Sequence, residues 1–265
     1  MPLITTIDEI KNFLAVDVNT DIASLLPFIN EAELLFLKPL LGEAFYATLL
    51  ADYDVDQSNM TESHQNLMPY IQRALSYYMI YLSVPQMGVN FGDAGIQQQH
   101  KDNSMPAPQW KVNQLMLSYI QQADIHAEKL LEYLEDNATD TVYPDWYGDL
   151  DVNTKLEGYM VNNTRIASQY IDISENRRIF LRLKKRIKDI EANHIKRLIC
   201  ADQYNALVAA IQSDTVSTAQ QELIDKIRPI VAKMALYLTI PALRISITDH
   251  GITIYSSNDA VVSKE

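Results

Sequence analysis

"MIYLSVPQMGVNFGDAGIQ", Met79–Gln97, is answered 156 residues later by "ALYLTIPALRISITDHGIT", Ala235–Thr253. At that offset residues 66–96 lie on 222–252 without a gap. Eight positions are identical: Leu67/Leu223, Ile71/Ile227, Tyr81/Tyr237, Leu82/Leu238, Pro85/Pro241, Asp93/Asp249, Gly95/Gly251 and Ile96/Ile252. Average composition gives about two such matches by chance. Upstream the match continues at an offset of 158, where "KPLLGEAFYATL" lies on "KRLICADQYNAL" and Glu33 falls on Glu191. Two copies at so long a period indicate a duplicated unit, roughly 4–98 and 162–254, rather than a solenoid.

The quoted stretch also sets the fold of each copy. Before it, Leu67, Ile71, Ala74, Leu75, Tyr78 and Leu82 recur at helical spacing, and the pattern predicts a helix over about 61–82 that Pro85 ends. Pro241 holds the same place in the second copy. Beyond it the period changes to two, with Leu243, Ile245 and Ile247, then Ile252 and Ile254, on either side of "TDHG". Alternation around a glycine-containing turn predicts a β-hairpin, with Gly95 and Gly251 taking positive φ. The expected fold is therefore mainly α: a duplicated helical unit, each copy ending in a small β-hairpin.

Outward from there, Thr6 and Glu9 have capping-box spacing and open a short first helix. Thr20 or Asp21 starts the next helix, Pro27 falls inside it, and Gly42 is its stop. Between the copies, Gln109–Asp136 reads as one long helix, with a stripe from Val112 through Tyr119 and Ala123 to Leu134. The expected organisation is a first unit over 1–98, a loop and long helix over 99–136, an aromatic and acidic connection over 137–161, and a second unit over 162–265.

Charge is unevenly spread along this 265-residue chain of net charge −12. Residues 1–135 hold 17 acids and 6 bases, whereas residues 136–265 hold 17 and 16. Nine of the 22 Lys and Arg lie in Arg177–Arg197, on a helix whose stripe runs Ile179, Leu183, Ile187, Ile190, His194 and Leu198. An acidic chain disfavours nonspecific attraction to nucleic acid, so this basic segment is read first as a solvated face, next as contact with an acidic protein surface and last as direct contact with DNA. Cys200 is the single cysteine, so an intrachain disulfide is excluded, and a packing role is expected for it. The N-terminus has no basic and apolar leader pattern, and no run reaches 18 uncharged apolar residues, so neither a signal peptide nor a membrane span is expected.

The motifs of catalysis and metal binding are not found. The five histidines are scattered and none forms HExxH or HxH. "DYDVDQSNMTES" places Asp52, Asp54 and Asp56 like a calcium loop, but Gln57 stands where the turn wants Gly and Ser63 where a bidentate Glu belongs. With seven glycines and no GxxxxGK[ST], GxGxxG or GxSxG, the chain offers little to cradle a phosphate or raise a nucleophile. No catalytic residue, metal site or cofactor is expected. The candidate contact residues are Tyr143, Trp146 and Tyr147 in "VYPDWYGD", which either pack on their own core or anchor a partner, and Arg177, Arg178, Lys184, Lys185 and Arg186 on the basic helix.

The opening stretch resembles the N-terminal region of phage head–tail connector proteins, also called adaptor or head-completion proteins. Ile4, Thr5, Thr6, Glu9, Leu14, Asp17, Ile29, Ala32 and Gly42 carry that resemblance. The doubled unit with hairpins also resembles an uncharacterised family of phages and prophages of gut Bacteroidales. The connector resemblance covers about 40 residues strongly and about 95 with the hairpin; typical connectors hold one such unit. It implies a structural virion protein assembled in the host cytoplasm, a ring expected to be dodecameric in the neck. Its partners would be the portal, other neck or tail proteins and further copies of itself. The ring would enclose DNA without specifically binding it, and would contact no membrane. Two other readings stand beside it: a non-catalytic cytoplasmic scaffold or regulatory adaptor, and an enzyme whose site is assembled from scattered residues such as His126, Asp145, Asp149 and Asp151.

Overall fold

A computed structural model of the chain describes residues 2–15, 21–55, 60–87, 89–92, 95–98, 108–243, 245–248 and 251–254. The chain is mainly helical and divides into two units, Met1–Asn153 and Thr154–Glu265. The long helix and most of the aromatic connection thus go with the first unit. Residues 154–161 go with the second.

The first unit opens with α1 (Ile7–Lys11), capped as its sequence dictates: Glu9 N–H donates to Thr6 Oγ1, and Thr6 N–H donates back to Glu9 Oε2 at 2.8 Å. Asp21 caps α2 (Ile22–Ala32), accepting from Ala23 N–H at 3.0 Å. The helix then widens into a single π turn, π1 (Glu33–Leu37), before α3 (Lys38–Leu41). Gly42, with φ +81°, breaks the chain direction, and a Cβ there would stand 2.6 Å from Asp149 Oδ2, so both conformation and space call for glycine. Then come α4 (Glu43–Val55), α5 (Glu62–Met87), the strands β1 (Val89–Gly92) and β2 (Gly95–Gln98), α6 (Gln109–Asn137) and α7 (Pro144–Gly148). α5 packs between α2 and α6 over a core that includes Ile29, Leu49, Leu75 and Leu130, all fully buried. Each such side chain contributes about 1.5–3 kcal/mol.

The second unit has the element order of the first from α1 to β2, without helices like α6 and α7 among its described residues. Asn163 caps α8 (Thr164–Ser168) and Asn176 caps α9 (Arg177–Ile190). A second π turn, π2 (Glu191–Ile195), leads into α10 (Lys196–Leu198), α11 (Ala201–Gln212), α12 (Thr218–Leu243) and the strands β3 (Ile245–Thr248) and β4 (Gly251–Ile254). Its core, with Phe180, Leu183, Ile187, Leu207 and Val231 fully buried, forms where α12 packs on α9. β1 pairs antiparallel with β2, Val89 opposite Gln98, and β3 pairs with β4, Ile245 opposite Ile254.

Some local expectations are corrected. Pro85 and Pro241 do not end their helices, which run on to Met87 and Leu243. A proline in the last turn deletes one hydrogen bond, and the two residues after it still find helical acceptors. The connection is not irregular throughout, for Pro144 starts a helical turn at α7. Cys200 is exposed rather than packed, and His194 and Leu198 point away from the core, because π2 shifts the stripe before it reaches them. The turns at residues 93–94 and 249–250, on which the φ of Gly95 and Gly251 depends, lie outside the described residues, as do Asp17 and Asp56.

Candidate functional site

The most specific polar arrangement in the chain occurs twice. In the first unit Leu3 is held by both of its backbone groups. Its N–H donates to Glu33 Oε1 at 2.6 Å, and its carbonyl accepts from Gln72 Nε2 at 3.1 Å. The other oxygen of Glu33 accepts from Tyr46 Oη at 2.9 Å. In the second unit Met160 takes the same place. Its N–H donates to both oxygens of Glu191 at 3.1 and 3.0 Å, and its carbonyl accepts from Arg228 Nε at 2.9 Å. Val161 N–H also donates to Glu191, and Tyr204 Oη donates to it at 2.7 Å. Glu33 and Glu191 each begin a π turn, which aims the carboxylate into the unit's interior.

Both glutamates are buried. Burial raises their proton affinity above the ordinary Glu value, against the lowering effect of the N–H and Tyr donors. Tyr46 and Tyr204 are pushed well up by burial and by the carboxylate that each faces. A hydroxyl held protonated, a carboxylate saturated by donors and a backbone strap filling the space between them make a clip. The sequence aligned Glu33 with Glu191 and Tyr46 with Tyr204. The signal missed was their shared 13-residue spacing, which brings the two side chains together across the π turn.

The predicted contact residues fall elsewhere. Trp146 is fully buried and Tyr143 nearly so, both within the first unit's core. Tyr143 Oη donates to the carbonyl of Ser63, its ring packs edge-on to Phe45 at 5.6 Å, and burial pushes its hydroxyl pKa up. Tyr147 packs partly buried against the same core, and its carbonyl accepts from Asn153 Nδ2 at 2.6 Å. The aromatic connection is self-packed, so Tyr143 and Trp146 are not partner anchors. On α9, Arg177 and Lys184 are buried, because they lie on the core-facing line with Phe180, Leu183 and Ile187. Arg178 is half-buried, while Arg182, Lys185 and Arg186 are exposed and form the usable basic face.

Of the scattered residues of the enzyme reading, Asp149 and Asp151 meet, and Asp145 and His126 each have another partner. Asp145 accepts from Thr48 Oγ1 at 2.6 Å, and Asp149 accepts from Asp151 N–H at 2.9 Å. His126 stacks on Tyr77 at 5.0 Å beside a groove of about 650 Å³ lined by Pro69, Tyr70, Arg73, Ile125, His126 and Lys129. Burial, then the nearby Arg73 charge, lowers the His126 pKa. Asp52 is tied to His64 Nδ1 at 2.6 Å and to Thr61 N–H at 3.0 Å. Among the described residues no group of three His, Cys, Asp or Glu is placed to hold a metal ion, and no single helix is long and apolar enough to cross a membrane.

The unit boundary sharpens the charge asymmetry. Residues 1–153 hold 22 acids and 6 bases, a net of −16, and residues 154–265 hold 12 acids and 16 bases, a net of +4. The two units are oppositely charged bodies on one chain.

The profile of a family described as "Family of unknown function (DUF6712)" matches residues 37–154 and 195–265, which is most of the chain. The two matched segments begin at equivalent positions, Leu37 and Ile195, each the last residue of its π turn. No curated protein and no solved structure matches. The chain belongs to the DUF6712 family.

Proposed function

We propose that this member of the family is a structural virion protein, a head–tail connector subunit that forms a ring of about twelve copies between portal and tail around the DNA channel. The observation that carries the reading is the resemblance of Ile4–Gly42 to connector N-termini. The opposite net charges of the two units support it, because a ring joins two different patches where an isologous dimer joins a patch to itself. Exposed ion pairs contribute only about 0–1 kcal/mol each, so the charges orient the subunits and apolar contacts supply most of the affinity.

We infer also that the chain arose by duplication of one helical unit ending in a hairpin. The clips support this, since Glu33, Tyr46 and Gln72 correspond to Glu191, Tyr204 and Arg228 at offsets of 158, 158 and 156. So do the paired π turns and the strands at equal offsets. The gene should lie beside portal or terminase genes, and the chain should co-purify with the adjacent portal and label the virion neck in immunogold micrographs. A chain absent by mass spectrometry from the purified particles of its own phage would overturn the connector reading.

A further inference from the structure

Among the described residues of its own unit, α12 has no counterpart of the helix that covers α5. In the first unit α6 lies along α5: Tyr78 Oη donates to Asp124 Oδ1 at 2.9 Å, and Tyr70 stacks on Tyr133 at 4.7 Å. On the matching line of α12, 156 residues on, Lys226 and Met234 stand for Tyr70 and Tyr78, while Ile230 stands for the buried Ala74 and Tyr237 for Tyr81, and these two are 54% and 75% exposed. Ile240, one turn further, is 47% exposed. Ile230 and Tyr237 stand seven residues apart and so share one helix face. The second unit bares a face of the kind that a helix covers in the first.

The first unit bares a helix face of its own. No residue of α6 before Ala123 is buried, and Trp110 and Leu117, also seven apart, are 67% and 50% exposed. Residues 112–122 of α6 and 234–243 of α12 carry no charge. Exposed apolar surface of this kind on two helices of one chain marks interaction sites.

We propose that the outer face of α6 in one copy packs on the bare face of α12 in a second copy, head to tail. Charge selects this pairing over its rivals. An α6–α6 contact brings together two units of net −16, and an α12–α12 contact brings together two units of +4, with Lys226 and Lys233 on the contact line on both sides. Only the mixed contact joins opposite signs. Each pair keeps one unused face of each kind, so the assembly grows until it closes. The proposal deepens the connector reading by giving the ring its interface, but it stands on exposure and charge.

The test uses two full-length variants, Leu117→Glu on α6 and Tyr237→Glu on α12, with circular dichroism to show that both keep their helices. Sedimentation velocity should find wild type self-associated and each variant weakened by about tenfold or more. Mixing the two variants should restore pairs and nothing larger, because only one intact α6 face and one intact α12 face then meet. A wild-type chain that stays monomeric, or a mixture that restores no pairs, overturns the proposal. Detection in virions is a separate readout: a neck protein whose variants fail to complement sinks this interface and leaves the connector reading intact. Complementation without a virion signal does the reverse.

Discussion

Glu33 and Glu191 each open a π turn, one in either unit, and they hold their straps differently. Glu33 takes one backbone N–H and Glu191 takes two. The carbonyl of the strap residue meets a neutral Gln72 in the first unit and a cationic Arg228 in the second. The carboxylate, the tyrosine and the π turn are common to both, and the number and charge of the remaining partners differ. The shared requirement is that every buried polar atom in the clip finds a donor or an acceptor. Gln and Arg both meet it at position 72 or 228, because each offers an N–H at the end of a long stem.

The largest test of this comparison is removal of the carboxylates. Each orphaned buried donor costs about 1–3 kcal/mol. Glu191→Ala leaves three donors stranded and Glu33→Ala two, so the first should destabilise its unit by about 4 kcal/mol or more and exceed the second by at least one such step. Urea melts of the full chain would measure both, and equal losses would break the distinction between the clips.

Next comes Trp146, which is fully buried in the first unit's core, beyond the span of the repeat. Trp146→Ala should cost about 3–5 kcal/mol and lower only the first unit's transition. A shift confined to self-association, with the melt unchanged, would return Trp146 to the role of a partner anchor.

The positive-φ corners offer a reciprocal swap. Gly42 and Cys200 adopt φ +81°, ψ 153° and φ +72°, ψ 150°, a region that side chains occupy at a cost of about 1–3 kcal/mol. Cys200→Gly should therefore stabilise the second unit by up to about 1 kcal/mol, while Gly42→Cys should destabilise the first by about 1–3 kcal/mol and crowd Asp149 as well. Two changes of the same sign in thermal melts would contradict the equivalence of the two corners.

The smallest effect is on pH dependence. Burial raises the Glu33 and Glu191 pKa values above 4.5, so the stability that they contribute is complete below that value and is lost as pH rises through the raised ones. Glu9 has no counterpart in the second unit. Burial pushes its pKa up, but hydrogen bonds from Tyr53, Thr5 and Thr6 pull it further down, so its contribution is lost as pH falls through the lowered value. Acidification toward 4.5 should raise the midpoints of both units, and Glu191→Gln should flatten the second unit's rise alone; below 4.5 the loss of Glu9's contribution should turn down the first unit's midpoint before the second's. Midpoints that turn down together would count against this assignment.

The readable part of the fold was local or repeated. Thr6, Asp21 and Gly42 announced helix ends through cap chemistry, and the aligned glutamates and tyrosines marked the equivalent helices. The burial of Arg177 and Lys184 was hidden, because periodicity counts them as charged although their stems lie on the apolar line. The fate of "VYPDWYGD" depended on Ser63 and Phe45, some 80 and 98 positions earlier, and no local period reports a contact at that range. The clips were half visible: their members were aligned, but Leu3 and Met160 lie outside the repeat as read from sequence.

Leu3 is held by Gln72 and Met160 by Arg228, so the first residues of each unit are secured by a helix that emerges from the ribosome almost 70 residues later. Neither strap can lock while its unit is only partly made. Synthesis therefore leaves the first unit open until α5 has emerged, and the second remains open until α12 appears. A pause or truncation before either helix yields a chain with a buried-type glutamate, a tyrosine and an ungripped strap exposed together, the kind of intermediate that chaperones hold.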